Sequence, residues 1–95
     1  MNGENGGPAC ALCGRELGEK VERHHLVPKS KGGRHVVPVH PICHRKIHAT
    51  FSDAELAAIY DTPERLRDHP DVARFITWLA GKPADFHKRT VKSRR

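Results

Sequence analysis

Two short pairs of donor residues, Cys10-x-x-Cys13 and His40-x-x-Cys43, constrain this chain more than any other feature. With 95 residues, 37% hydrophobic and only 5% aromatic, there is room for one domain with a thin core. A chain that small needs a cross-link to hold a unique fold. Its 3 cysteines leave a disulfide framework incomplete, and the two pairs use all of them. Thiolate and imidazole donors spaced two apart suit a tetrahedral zinc ion held by Cys10, Cys13, His40 and Cys43. Thiols kept for a metal fit a reducing compartment, and Met1-Asn2-Gly3-Glu4 lacks a basic and apolar signal segment, so a cytoplasmic location is expected. No apolar run is long enough for a membrane span, so no membrane partner is expected.

Residues 1–8 are rich in Gly and Asn and read as a disordered leader. A single zinc-stapled domain is expected over residues 9–81, and a flexible tail over 82–95. Gly14 closes the first knuckle and is expected at positive φ. The β-branched residues between Val21 and Val27 suggest a strand ending at Pro28, and Val36-Val37-Pro38-Val39 suggest a second. Lys29-Ser30-Lys31-Gly32-Gly33 joins them as a loop, giving an antiparallel hairpin. Pro41-Ile42-Cys43 opens a helix with Ile47 and Phe51 on its core side. Ser52 with Glu55 forms a capping box for a helix through Tyr60, and Thr62-Pro63-Glu64 starts another. A last helix begins near His69-Pro70 and runs through Val72, Phe75, Ile76 and Leu79 to Gly81. Trp78, Leu79 and Phe75 are expected to supply core, with His69 and His87 as bystanders.

The histidines outnumber what one zinc needs. His24, His25, His35, His44 and His48 all lie within or just beyond the two pairs. Adjacent strand residues face opposite ways, so His24 and His25 can serve different purposes. His44 and His48, four apart, share one helix face. Three imidazoles from a strand and a helix make an open metal site with room for water and substrate oxygens.

Cys10-x-x-Cys13, His24-His25-Leu26-Val27-Pro28-Lys29-Ser30-Lys31-Gly32-Gly33 and His40-Pro41-Ile42-Cys43-His44-Arg45-Lys46-Ile47-His48, in that order, resemble the HNH nucleases. These are the ββα-metal endonucleases, a superfamily that includes the nuclease colicins. The resemblance covers residues 10 to 50 and implies an α+β fold, a small zinc-stapled ββα-metal motif followed by C-terminal helices. It implies His25 as general base and His24, His44 and His48 as ligands of a catalytic divalent ion, Mg²⁺, Mn²⁺, Ni²⁺ or Zn²⁺. The family's middle Asn, which orients the base, falls on His35, whose ring can donate or accept a hydrogen bond in its place.

The implied reaction is hydrolysis of DNA phosphodiester bonds, most naturally in duplex DNA, leaving 5′-phosphate and 3′-hydroxyl ends. Charge points the same way. Residues 82–95 carry six basic side chains against Asp85 alone, while the rest of the chain is nearly balanced, so the net charge of +6 sits mostly in the tail. Lys29, Lys31, Arg34, Arg45 and Lys46, with Lys88, Arg89, Lys92, Arg94 and Arg95, are the candidate phosphate contacts. The alternative is a catalytically silent zinc module that binds DNA or RNA through the tail and the ββα surface. The oligomeric state is left open by the sequence.

Overall fold

The computed structural model describes residues 9–84 and 86. Its centre is an antiparallel hairpin of β1 (Glu22–His25) and β2 (Val36–Val39), followed by helix α1 (Pro41–Thr50). Glu22 pairs with Val39 and His25 with Val36. The first strand is shorter than the β-branched run suggests, because the chain turns at Pro28 into a 3₁₀ turn (Lys29–Lys31). One further backbone bond, from Leu26 N–H to the His35 carbonyl at 3.0 Å, extends the ladder past His25. Gly32 closes the turn at φ 87°. Gly33 packs so tightly against Val27 that a β-carbon would lie 1.7 Å from the Val27 carbonyl oxygen.

Ahead of the hairpin, Ala9 and Glu16 form an antiparallel bridge around the first cysteine pair. Gly14 adopts φ 79° and donates its N–H to the Cys10 carbonyl at 2.9 Å. The Ala11 N–H donates to Pro38 O at 2.8 Å, which sews this knuckle to β2.

Three further helices follow, α2 (Asp53–Ala58), α3 (Pro63–Asp68) and α4 (Pro70–Leu79). The capping box of α2 is complete, with Glu55 N–H donating to Ser52 Oγ at 3.1 Å and Ser52 N–H to Glu55 Oε1 at 2.8 Å. The helix nevertheless stops at Ala58, short of Tyr60. Thr62 caps α3 through Arg65 N–H at 3.2 Å. Leu56, Leu66, Val72 and Leu79 join Leu12, Val39, Ile42, Ile47 and Phe51 in one core. Helix α4 packs against α1 and α3, and α2 against the 3₁₀ turn.

Two sequence expectations change here. Trp78 is 42% exposed rather than buried, because the core stripe of α4 runs through Val72, Phe75, Ile76 and Leu79 and position 78 falls beside it. Its ring packs against Phe75 and Phe86 instead, with the Lys82 ammonium 5.2 Å from its centroid. His69 is no bystander: its Nδ1 accepts from Asp71 N–H at 3.1 Å and caps α4, while its ring packs on Phe51 and Tyr60. The expected leader, His87 and the tail contacts Lys88, Arg89, Lys92, Arg94 and Arg95 lie outside the described residues.

Candidate metal centres and active site

The first donor cluster joins the knuckle to the N-terminus of α1. Cys10, Cys13, His40 and Cys43 bring one donor atom each to within 4.8 Å of one another. His40 sits at the N-cap of α1, and its Nε2–H donates to the Glu16 carbonyl at 2.8 Å. That bond leaves the Nδ1 lone pair facing the sulfurs, 3.4 Å from Cys13 Sγ and 3.8 Å from Cys43 Sγ. Fixing a histidine tautomer through its other nitrogen is how metal ligands are oriented. The His40 backbone N–H also donates to Cys10 Sγ at 3.4 Å. Hydrogen bonds from the Cys13 and Cys43 side chains pull the Cys10 thiol far down, while Cys10 and Cys13, with burial, push Cys43 up. Three sulfurs this close cannot all ionise without a cation among them. These four residues form a Cys₃His metal-binding cluster.

The second cluster is built from β1 and α1. The donor atoms of His24, His44 and His48 also lie within 4.8 Å of one another. Their ring centroids are 5.4, 5.3 and 4.8 Å apart in the three pairings. His24 is fully buried, and neither of its ring nitrogens has a hydrogen-bond partner among the described residues. Leaving such an atom unpaired costs about 1–3 kcal/mol, so a buried imidazole with two is out of balance by itself. His44 and His48 aim their Nε2 atoms at each other, 3.2 Å apart. The Nδ1–H of His44 donates to Glu22 Oε1 at 2.8 Å, which frees Nε2 as a donor toward the same point. Burial first, then the charges of His48, His44 and His25, hold the His24 pKa down at about 4. Burial and His44 lower that of His48, partly offset by Asp53. Neutral imidazoles are the form that binds a cation, so this trio fits a divalent ion.

A cleft of about 350 Å³ opens beside this cluster, lined by Arg23, His25, Pro28, Lys29, Ser30, His44, His48 and Asp53. It brings together His25, two of the three clustered histidines and Lys29. The other proposed contacts lie elsewhere. Lys31 and Arg34 are exposed outside the lining. Arg45 borders a separate depression with Glu19, Lys20, Val21, Glu22 and Pro41. The Lys46 ammonium lies 5.7 Å from the Phe75 centroid. His35 is exposed, and its backbone carbonyl accepts from the N–H of Leu26, the residue after His25. Sequence reasoning missed Glu22, Arg23, Ser30 and Asp53. The two strand residues were within reach of the same alternation that separated His24 from His25.

The HNH endonuclease family pattern matches residues 10–50. Over 87 residues the chain is 38% identical to "Uncharacterized protein YisB" of Bacillus subtilis (strain 168), covering 88% of this chain and 85% of that protein. No solved structure matches the chain. Since the matched segment contains both donor clusters, and the likeness to the Bacillus protein extends well beyond it, the chain belongs to the HNH endonuclease family.

Proposed function

We propose that this protein is a metal-dependent endonuclease that hydrolyses phosphodiester bonds of duplex DNA. In this reading zinc fills the Cys₃His cluster and staples the fold, and a second divalent ion is held by His24, His44 and His48. The observation that supports it is His25 lining one cleft with His44 and His48, next to the buried His24, which has no hydrogen-bond partner among the described residues. His25 takes a proton from a water molecule as its oxygen attacks phosphorus. The bond from phosphorus to the 3′-oxygen breaks, the 3′-oxygen gains a proton from solvent, and the 5′-phosphate remains on the other fragment. His24, His44 and His48 would hold the divalent ion, which would supply Lewis-acid chemistry there. Glu22 holds the His44 ring in the tautomer that presents Nε2. Lys29 meets the phosphate backbone from the loop side of the cleft. The basic residues between Lys88 and Arg95 add sequence-independent attraction to DNA.

A plasmid-nicking assay tests the proposal. Supercoiled DNA should convert to relaxed or linear forms with Mg²⁺, Mn²⁺ or Ni²⁺ and stay intact with EDTA. Binding without cleavage under every metal would instead make the protein a silent nucleic-acid-binding zinc module.

A further inference from the structure

Arg23 lies on β1 between Glu22 and His24. Strand alternation puts it on the same side as His25, and both side chains line the cleft with Lys29, His44 and His48. It is exposed, and no hydrogen bond or ion pair joins its guanidinium to another described residue. Residues two apart on a strand are separated by about 7 Å, a span that one phosphodiester group can bridge between their side chains. The carboxylate that shares the cleft, Asp53, accepts from Ser30 Oγ at 3.4 Å.

We propose that Arg23 is a further catalytic residue, clamping the non-bridging oxygens of the phosphodiester that is attacked by the water on His25. The proposal rests on the nuclease reading above. A guanidinium offers a planar fork of donors that matches two phosphoryl oxygens, whereas Lys29 offers a point charge. Charge that redistributes over these oxygens as the bond to the 3′-oxygen breaks is stabilised more in the transition state than in the bound diester. Arg23 is suited to this because it projects from a paired strand one residue from His24 and two from His25, so its origin is fixed relative to both. Arg45 and Lys46 occupy other surfaces, and Lys31 and Arg34 do not line the cleft.

The test compares Arg23→Met and Arg23→Lys with wild type on two substrates, plasmid DNA and the small diester bis(p-nitrophenyl) phosphate. Only a group at the scissile phosphate affects both, since the small diester has no flanking backbone. Arg23→Met is expected to lower the single-turnover rate on each by about 10²-fold, the usual effect of losing one charge-stabilising donor. Arg23→Lys is expected to recover part of that loss. Mn²⁺ affinity by calorimetry should stay within twofold of wild type. A loss confined to plasmid DNA makes Arg23 a distant backbone contact and overturns the proposal, as does a rate within threefold of wild type on both. If wild type hydrolyses neither substrate, the nuclease reading falls separately. Titration of metal-loaded protein with inorganic phosphate then decides: tenfold weaker binding in Arg23→Met supports the clamp, and equal binding removes it.

Discussion

Four consecutive residues on β1, Glu22-Arg23-His24-His25, supply one side of the proposed site. Alternation sends Glu22 and His24 toward the α1 histidines and leaves Arg23 and His25 lining the cleft. The two donor sets were legible in the sequence because their spacings are local: two residues between partners in each knuckle, four between His44 and His48. The role of Glu22 was not read, although alternation puts it on the His24 side of the strand, because its partner His44 is 22 positions away and the histidine pattern does not mark a carboxylate. The contact makes a definite prediction. Glu22→Ala removes the acceptor that fixes the His44 tautomer, so affinity for the second metal should fall about 10–100-fold. The Cys₃His cluster contains neither residue and should keep its zinc. Calorimetric titration with Mn²⁺, alongside zinc content by atomic emission, checks both halves; unchanged Mn²⁺ affinity would leave the carboxylate as a surface contact only.

At the scale of elements, the loop between the strands sets the shape of the cleft. Lys29 and Ser30 line it from the 3₁₀ turn, and Ser30 ties that turn to Asp53 at the start of α2. The turn folds back so closely that Gly33 donates its N–H to Pro28 O at 3.1 Å while touching Val27. Gly33→Ala would drive a β-carbon into the Val27 carbonyl, an atom of the backbone that cannot swing aside. The substitution should cost about 2–3 kcal/mol by urea denaturation of the zinc-loaded protein. A midpoint equal to wild type would mean the loop has room to move. Local signals served the helices well, since the Ser52 capping box and the Thr62 cap depend on residues three apart. Trp78 and His69 were misjudged because their surroundings depend on which face of α4 meets the core and on Phe51 and Tyr60 arriving from elsewhere.

For the molecule as a whole, the Cys₃His knuckle is the point where separate parts meet. Arg67 donates to the Ala11 carbonyl at 2.8 Å, linking α3 to the knuckle. Arg15 donates to the Lys82 carbonyl at 2.6 Å and to the Pro83 carbonyl, and its other nitrogen lies 3.8 Å from Cys13 Sγ. The packed body thus continues past Gly81 to Phe86, which rests on Trp78. Those long-range ties follow no sequence pattern, as Arg15 and Lys82 are 67 positions apart. A structural zinc contributes on the order of 10 kcal/mol, comparable to the whole stability of a domain this size. Cys43→Ala should therefore be unfolded or aggregated, and a zinc-free variant with native circular dichroism would show that burial suffices without the staple. The central claim concerns the cleft, where His25 is proposed to act on water while its neighbour His24 binds metal. The most direct measurement is the single-turnover cleavage rate of His25→Ala at saturating divalent ion. The expected result is a fall of about 10²–10⁴-fold, the usual contribution of a positioned general base. A rate within threefold of wild type would contradict the account.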